Sequence, residues 1–216
     1  MDKSVSIVIP SIKPDCKEQI KEILGCKYGI PVEVFSVNKQ QSAATNRNAC
    51  IDKAKHDKII MCDDDITGYF DLWADYMQAH FYIADYSILS VRPIRADGSL
   101  CPHLGDNNGQ LDDKEPIVRA LHTDRTGLNL CGSATIMFNR KDGIRFDEGY
   151  KGGGCYEDTD FCMQYKKKWP DRDIMICNDV KLIHNMERKG RETMPGTYDN
   201  HNHNRGYFAE KWGIEL

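Results

Sequence analysis

Three consecutive carboxylates follow one of the most apolar segments of the chain. Residues 58–66 read KIIMCDDDI, an unbroken apolar run followed by Asp63, Asp64 and Asp65. Such a run predicts a strand buried on both faces of a parallel sheet. Adjacent carboxylates repel one another, and a hard divalent cation such as Mg²⁺ or Mn²⁺, which prefers oxygen ligands, would neutralise them. The cluster therefore predicts a divalent metal site beyond the carboxyl end of a strand, where open α/β sheets bind their ligands.

Two other interpretations of the acidic cluster are open to the same residues. The first is a solvated turn after a strand, which needs no ligand. The second is a calcium loop, because Asp63, Asp65 and Gly68 fall at the first, third and sixth positions of an EF-hand. Ala74 stands where that loop requires a bidentate glutamate, and the preceding segment is predicted to be a strand rather than a helix. The calcium interpretation therefore fails, and the solvated turn remains the alternative.

The bulk composition limits the classes of protein to consider. The chain has 216 residues, a formal net charge of -4 and nine cysteines, with no C-x-x-C pair. This length favours one sizeable domain, and the acidic balance gives no general attraction to nucleic acid or to anionic membranes. No membrane span or signal-peptide pattern is visible, and scattered cysteines predict neither a zinc site nor a disulfide framework. We expect a soluble, cytoplasmic protein with reduced cysteines.

Strands and helices alternate along the first part of the sequence. Apolar runs predict strands at residues 4–10, 32–37, 59–62, 87–94, 134–138 and 174–184. Helical spacing of apolar residues predicts helices at residues 14–25, 42–55 and 157–169, and one more that carries Phe70, Trp73, Met77 and Phe81. No G-x-G-x-x-G or Walker A loop is present. The pattern predicts the α/β class, with a Rossmann-like, mostly parallel central sheet and helices on both faces.

Two segments carry little periodicity. Residues 101–129 are polar and rich in Gly, Asp and Asn, which is typical of a lid or a binding loop. The tail from residue 185 is charged and rich in Asn, His and Gly, and we expect it to be mobile until residues 208–214. Such a tail could close over a bound substrate and exclude water, or it could be a solvated terminus.

The order of five motifs resembles that of the family 2 glycosyltransferases, enzymes with the GT-A fold. The motifs are SIVIPS at residues 6–11, TNRNACIDKAKHDKIIMCDDD at 45–65, CGSATIMFNRKDGIRFDEGY at 131–150, YEDTDFCMQYKKKW at 156–169 and VKLIH at 180–184. The resemblance covers most of the chain. It implies one domain over residues 1–216, with a nucleotide-sugar-binding half at 1–100, an acceptor and catalytic half at 101–184, and a lid at 185–216. The implied reaction moves a sugar from a nucleotide diphosphate sugar to an acceptor hydroxyl.

The resemblance assigns several residues to the nucleotide of the donor. Pro10 and Ser11 would contact the nucleoside at the end of the first strand. Asn38 stands where the family often has an aspartate that recognises the base. Because this residue differs, the expected UDP-linked donor is implied only by the donors that the family commonly uses. Arg47 would lie near the nucleotide, where a guanidinium can meet a base edge or a phosphate. An exposed helix arginine without a ligand is the alternative for Arg47.

The D-x-D motif of the family matches the acidic cluster. Asp63 would contact the ribose and contribute to the metal site, Asp64 lies between the two matched residues in the nucleotide site, and Asp65 would bind the metal that bridges the diphosphate. His184 matches a histidine that completes the metal site in many relatives. The cofactor implied is Mn²⁺ or Mg²⁺. A histidine near a strand end is otherwise most often only hydrogen-bonded.

Glu157 and Asp158 match the Glu-Asp pair of the family, in which the aspartate is the general base of inverting members. We assign Asp158 as the base, with Glu157 or Asp160 orienting the acceptor or closing the helix. Acidic residues in the first turn of a helix are also favoured by the helix dipole without any catalytic role. Retention of configuration remains an alternative, since the GT-A fold hosts both outcomes.

The sequence leaves several alternatives open for the acceptor and for the overall activity. The acceptor could be a saccharide, a small molecule or a hydroxylated base of DNA, and the basic residues 166–168 and 188–191 would contact phosphates in the last case. A nucleotidyltransferase would carry a glycine-rich basic loop where residues 11–14 read SIKP. An inactive nucleotide-sugar-binding module has no need for Asp63, Asp65, Asp158 and His184 together. The oligomeric state is not predicted.

Overall fold

The structure, a computed structural model, describes most of the chain in separate ranges. These are residues 3–13, 15–39, 41–83, 85–101, 115, 117–119, 131–132, 134–152, 155–185 and 197–215. Most of the expected irregular connection at 101–129 lies outside the described residues. The basic segment 188–191 and the first part of the tail, residues 186–196, lie outside them as well.

Eight strands and five α-helices form the described part of the chain. The strands are β1 (Val5–Pro10), β2 (Val32–Val37), β3 (Lys58–Cys62), β4 (Ile66–Thr67), β5 (Ile88–Ile94), β6 (Ile117–Arg119), β7 (Thr135–Asn139) and β8 (Ile174–His184). The helices are α1 (Lys17–Gly25), α2 (Ala43–Lys53), α3 (Trp73–Ile83), α4 (Glu157–Lys168) and α5 (Thr197–Trp212). The sequence did not predict β4 or β6, which are short and carry too few residues for a recognisable period.

All eight strands belong to one sheet, in the order β2-β1-β3-β7-β5-β8-β4, with β6 paired to β8. β1 is parallel to both β2 and β3, and β5 is parallel to β8. β7 lies between β3 and β5 and is antiparallel to both, while β4 and β6 are antiparallel to β8. Five strands therefore run in one direction, which confirms the predicted α/β class and mostly parallel sheet. The antiparallel insertion of β7 was not predicted.

Two hydrophobic clusters cover the two faces of the sheet. Apolar residues of α2, α4 and α5 pack on one face, and apolar residues of α1 and α3 pack on the other. Trp73, Met77 and Phe81 of α3 are buried in the second cluster, so the predicted aromatic stripe is a core feature. Helices on both faces were predicted from the alternation of strands and helices, and the two clusters confirm that arrangement.

The end of the tail is a helix packed on the domain. We expected order only at residues 208–214, whereas α5 begins at Thr197. Asn204 and Phe208 of this helix are fully buried. The role of the tail as a lid stays a prediction. None of the described helices combines the length and the apolar character that crossing a bilayer requires. None of the nine cysteines forms a disulfide.

Candidate functional site

The polar ends of β1, β2 and β3 lie together at one edge of the sheet. Pro10 pairs with Val37 in parallel register, which places Ser11 and Asn38 side by side just beyond the two strands. Ser11 donates its backbone N–H to the carbonyl of Val37 at 2.9 Å. The amide of Asn38 donates to the carbonyl of Lys13. The structure therefore brings together Pro10, Ser11 and Asn38, the three residues assigned to the nucleoside, at the carboxyl ends of the strands, where open α/β sheets bind their ligands.

Asp63, Asp65 and His184 converge at this edge. One ligand atom of each residue lies within 4.8 Å of the corresponding atoms of the other two. His184 Nε2 is 3.1 Å from Asp65 Oδ1. The short strand β4 creates this contact, because Ile66 pairs with His184 and the N–H of Asn185 donates to the carbonyl of Asp65 at 2.9 Å. Backbone pairing thus joins the acidic cluster to a histidine far along the chain.

The three side chains fit a divalent metal ion. Their exposed fractions are 27% for Asp63, 31% for Asp65 and 11% for His184, so an ion and a substrate can reach them. Two carboxylates suit Mg²⁺ or Mn²⁺, and the imidazole nitrogen is a softer ligand that favours Mn²⁺ of the two. Such ions usually keep further positions for water and substrate phosphates. The donor set is therefore suited to a metal that also binds a diphosphate.

Asp64 has a different environment from its two neighbours. Its Oδ2 accepts a hydrogen bond from Ser11 Oγ at 2.5 Å, and Lys13 Nζ lies 3.3 Å from its Oδ1 and donates to its carbonyl at 2.7 Å. Ser11 Oγ also accepts from the backbone N–H of Lys13 at 2.8 Å. Asp64 thus fixes the loop that follows β1, and it is not part of the metal-ligand group.

Arg47 of α2 is a buried cation between two acidic groups. Its Nη2 lies 3.2 Å from Asp63 Oδ1, and its Nη1 donates to Glu157 Oε1. Burial alone would lower the pKa of Arg47, but the carboxylates of Glu157 and Asp63 outweigh it and hold the pKa above its ordinary value. The guanidinium also lies 5.2 Å from the centre of the Phe146 ring. Arg47 is therefore not an exposed helix arginine, and it links the acidic cluster to α4.

The pKa of the Asp63 carboxyl is higher than that of an ordinary aspartate. Burial raises its pKa, the cation of Arg47 lowers it, and the nearby carboxyl of Asp65 raises it again. The net pKa of Asp63 is about 6. An added cation between Asp63 and Asp65 would remove the like-charge repulsion and favour the ionised form. The repulsion between these two carboxylates is therefore consistent with a bound metal ion at the cluster.

The N-terminus of α4 carries the predicted Glu-Asp pair on a strained backbone. Cys155 and Tyr156 have φ of 138° and 70°, values that residues with a side chain rarely adopt. The N–H of Cys155 donates to Glu157 Oε2 at 2.5 Å. Glu157 is buried and its other oxygen accepts from Arg47. Both oxygens of its side chain therefore have partners within the protein, and the role of Glu157 in orienting the acceptor or closing the helix stays a prediction.

Asp158 differs from Glu157 in both contacts and charge. Its Oδ1 accepts from the N–H of Thr159 at 2.8 Å, and its side chain is partly exposed. Burial and the charge of Glu157 raise the pKa of Asp158 to about 6, against the opposing effect of Arg47. A carboxylate with a pKa near 6 is ionised at neutral pH and is more basic than an ordinary aspartate. This is the property that a general base requires.

Asp160 holds the last helix in place. It is fully buried, Lys211 Nζ lies 2.7 Å from its Oδ1, and Trp212 Nε1 donates to the same oxygen at 2.8 Å. Its Oδ2 accepts from Gln164 at 2.6 Å. Asp160 therefore anchors α5 against α4, which argues against contact between Asp160 and an acceptor.

Asn204 of α5 ties the loop before α4 to the last helix. Its Oδ1 accepts from the N–H of Lys151 at 2.8 Å, and its Nδ2 donates to the carbonyls of Lys151 at 3.0 Å and Cys155 at 3.3 Å. The carbonyl of Gly152 in the same loop accepts from the N–H of Ala43 at 2.8 Å. The loop that leads to Asp158 is thus held from both sides, by α2 and by α5.

Two buried amides support the site and were not predicted from the sequence. Gln19 Nε2 donates at 2.9 Å to the carbonyl of Asp63 and at 2.9 Å to Tyr69 Oη. Asn46 Nδ2 donates to the carbonyl of Ser11 at 3.2 Å. The signal for each was its position on the apolar face of a predicted helix. Asn46 lies three residues from both Ala43 and Ala49, and Gln19 lies three residues after Cys16 and four before Ile23.

A cavity of about 820 Å³ opens beside Asp64, on the side of α1. Lys13, Gln19 and Tyr69 are among the residues that line it. Neither Arg47 nor Asp158 lines it, so this cavity is adjacent to the charged groups and does not contain them. The convergence of charged side chains, rather than this cavity, defines the candidate site.

The basic residues of α4 have local partners. Lys166 Nζ donates to the carbonyls of Pro170 and Arg172, at 2.6 and 2.8 Å. Lys168 Nζ donates to the carbonyl of Asp142, and Lys167 Nζ lies 5.6 Å from the Trp212 ring centre. These contacts are those of a helix end packed on the domain, and nothing in them favours a phosphate-binding surface.

Comparison with solved structures identifies the fold. The structure of S. aureus TarS 1-349 is similar with a TM-score of 0.56 and 15% sequence identity, over 96% of this chain and 70% of that chain. TarS 1-349 in complex with UDP gives a TM-score of 0.58 and 14% identity over the same shares. A further TarS structure gives 0.58 and 17% identity, and this chain covers 42% of it. No family model and no curated protein matches the sequence. The likeness confirms the expected glycosyltransferase-like, GT-A-type fold.

Proposed function

We propose that the protein is a metal-dependent glycosyltransferase that moves a sugar from a UDP-linked donor to an acceptor hydroxyl with inversion. One observation carries the proposal. The buried cation Arg47 pairs with Asp63 of the three potential metal ligands and with Glu157 at the start of α4. The next residue, Asp158, carries a carboxyl with a raised pKa. The similarity to TarS in complex with UDP supports a uridine diphosphate donor.

The donor would bind across the carboxyl ends of the first three strands. Pro10, Ser11 and Asn38 lie there together and would contact the nucleoside, with Asp64 holding the loop that carries Ser11. Residues 1–100 would thus form the nucleotide-sugar-binding half, and residues 101–184 the acceptor and catalytic half. Residues 185–216 would act as the lid. Arg47 would contribute positive charge beside the diphosphate.

The metal ligands would act on the leaving group. A divalent ion held by Asp63, Asp65 and His184 would stabilise the negative charge that develops on the departing diphosphate. The pairing of β4 with β8 fixes Asp65 and His184 relative to each other before any ligand binds. Such a preorganised set requires little rearrangement during the reaction.

Asp158 would accept the proton of the acceptor hydroxyl. The hydroxyl oxygen then attacks the anomeric carbon on the face opposite the diphosphate, which inverts the configuration. A general base of this kind contributes about 10²–10⁴-fold to the rate. Glu157, occupied by Arg47 and by the N–H of Cys155, would keep the start of α4 and therefore Asp158 in place.

The release of the nucleoside diphosphate, UDP from a panel of UDP-sugars and GDP from a panel of GDP-sugars, with Mn²⁺, Mg²⁺ or chelator, tests the proposal. We expect metal-dependent turnover with one donor, and its loss in Asp158→Asn with donor binding retained. Glu210→Gln, an exposed substitution on α5, is the control. Binding of a nucleotide sugar without any turnover, across saccharide and hydroxymethylated DNA acceptors, would identify an inactive binding module instead.

A further inference from the structure

The cavity beside Asp64, here called the α1 cavity, lies between two walls. One wall is α1 with the residues next to it, from Lys13 to Cys26, and the other is the segment from Asp64 to Asp71. Its volume of about 820 Å³ lies within the roughly 300–1,000 Å³ of sites that bind small molecules. The apolar side chains of both walls belong to the hydrophobic cluster of α1 and α3. The cavity is therefore on the face of the sheet opposite α2 and α4.

Gln19 gives the α1 cavity a hydrogen-bond acceptor that has no partner. Its side chain is 9% exposed and is part of the lining. Nε2 donates to the carbonyl of Asp63, and because a carbonyl can only accept, this bond fixes which end of the amide is the nitrogen. Oε1 then has no hydrogen-bond partner among the described residues. A buried acceptor without a partner is costly, so a ligand that donates a hydrogen bond there would gain free energy.

Glu22 offers a second acceptor one helical turn further along α1. Its Oε1 accepts from the N–H groups of Gly68 at 2.8 Å and Tyr69 at 3.2 Å. Its Oε2 has no hydrogen bond or ion pair within the described ranges, and the side chain is partly exposed in the cavity lining. Residues three apart on a helix are neighbours on its surface. Gln19 and Glu22 therefore present adjacent acceptors, each held by a bond to the facing wall.

The facing wall supplies a hydroxyl group. Thr67 is partly exposed and lines the cavity, and its Oγ1 accepts from Asn185 Nδ2 at 2.8 Å. A hydroxyl that accepts in this way can still donate its own proton. A ligand hydroxyl both donates and accepts, so it can bind the acceptors of α1 and the donor of the facing wall together.

The charges of the lining disfavour an anionic ligand. Five carboxylates and three lysines line the cavity: Asp15, Glu18, Glu22, Asp64, Asp71, Lys13, Lys17 and Lys21. Lys13 already pairs with Asp64 at 3.3 Å, and Lys17 pairs with Asp15 at 3.2 Å. The excess of carboxylates would repel a phosphate or a carboxylate on the ligand.

The backbone of the facing wall offers a peptide few partners. The N–H groups of Gly68 and Tyr69 donate to Glu22. The N–H of Ile66 donates to the carbonyl of Asp63 at 3.4 Å. An extended peptide that adds to a sheet edge binds through such main-chain groups. The polar groups that remain are side chains, which favours a ligand rich in hydroxyl groups.

An exposed aromatic ring continues the lining at the far end of the α1 cavity. Phe70 lines the cavity, and its ring centre lies 6.4 Å from that of Tyr76. Tyr76 is 45% exposed and Leu72 is 40% exposed. The flat face of an exposed ring is a surface on which the apolar C–H groups of a sugar can pack, while the sugar hydroxyls stay in contact with water or polar groups.

We propose that the α1 cavity is a second binding site, which takes a neutral saccharide. Hydroxyl groups of one sugar bind Gln19, Glu22 and Thr67, and a following sugar packs on Phe70 and Tyr76. The inference goes beyond the proposed function, because no step of the sugar transfer uses this cavity. The site anchors a glycan, which is either a remote part of the acceptor chain or a separate chain.

Two cavity variants and two controls test the site. Glu22→Gln keeps an oxygen for the two N–H groups of the facing wall and turns the unpaired acceptor into a donor, so the fold should be kept. Tyr76→Ala removes the exposed ring. Glu210→Gln is an exposed control on α5, and Ile83→Ala removes a side chain of α3 that is 80% exposed and does not line the cavity.

Binding to an array of immobilised glycans, neutral and anionic, is measured without UDP and without metal. Calorimetry with the best-bound glycan then gives affinities. We expect the wild type and both controls to bind neutral glycans, Glu22→Gln to bind about tenfold more weakly, and Tyr76→Ala about threefold more weakly. No bound glycan, binding of anionic glycans alone, or equal affinity of the wild type and the two cavity variants would overturn the proposal. Binding to a peptide array with no bound glycan would assign the cavity to a peptide and overturn it as well.

Two further measurements separate this site from the proposed function and identify its glycan. UDP binding with Mn²⁺ should be equal in wild type and Glu22→Gln. Loss of UDP binding by the wild type, with glycan binding retained, contradicts the proposed function alone. Sugar transfer to the bound glycan shows that it is part of the acceptor, whereas binding without transfer shows a separate anchor, and either result supports the second site.

Discussion

Arg47 of α2 and Glu157 of α4 form a buried ion pair, although 110 residues separate them in the sequence. The same guanidinium reaches Asp63 at the end of β3. One cation therefore fixes the acidic cluster and the start of α4 relative to each other. We regard this pair as the connection between the donor side and the catalytic side of the site.

The first prediction concerns Glu157. Glu157→Gln removes the negative charge of the buried pair and leaves the buried guanidinium of Arg47 with Asp63 as its remaining ion-pair partner. The free energy of unfolding should therefore fall by about 3 kcal/mol. Urea unfolding measures the change, with Glu210→Gln as the exposed control. An unfolding free energy equal to that of the control, together with lost turnover, would contradict the positioning role and make Glu157 a reacting group.

The second prediction concerns the pH dependence of the reaction. The pKa of Asp158 is raised from 3.8 to about 6, and a general base works only when ionised. The rate constant kcat/KM should therefore rise about tenfold per pH unit below pH ~6 and level off above it. Initial rates between pH 4.5 and 8 measure the profile. A plateau that continues unchanged well below pH 5 would show that Asp158 is not the base.

The third prediction concerns the anchor provided by α5. Asn204→Ala leaves backbone groups of Lys151 and Cys155 without their buried partner, which should cost about 2 kcal/mol of stability. Asn202→Ala on the exposed side of the same helix has the same effect on helix propensity and is the control. Turnover should fall in Asn204→Ala more than donor binding does, because Asn204 holds the loop that precedes α4, and α4 carries the proposed base Asp158. Equal stability of the two variants would exclude the anchoring role.

The sequence predicted the parts of this protein that depend on local pattern. The unbroken apolar run before Asp63 and the periodic residues of α3 identify a central strand and a packed helix, because burial alone determines those patterns. The motif order also directed attention to Asp158 and His184. Local pattern did not predict the pairing of β4 with β8 that brings His184 to Asp65, because the two residues of β4 carry no period. Only the family resemblance placed these two side chains in one metal site.

Buried polar residues were the least predictable part of the site. Asn204 lies in a segment rich in Asn and His, whose composition is that of a solvated tail, and its burial depends on the loop that it contacts. Composition describes a segment by itself, whereas this side chain is defined by partners far away in the chain.

Titration of UDP into the protein tests the central claim most directly. Calorimetry with Mn²⁺ and with chelator should show about 100-fold or more tighter binding with the metal in the wild type. Asp65→Ala should bind UDP with nearly the same affinity under both conditions, because it lacks a metal ligand. Asp64→Asn, which changes the neighbouring residue held by Ser11 and Lys13, should keep the ratio of the two affinities. UDP binding that is the same with and without metal in the wild type, or no binding at all, would contradict the metal-dependent glycosyltransferase proposed for this protein.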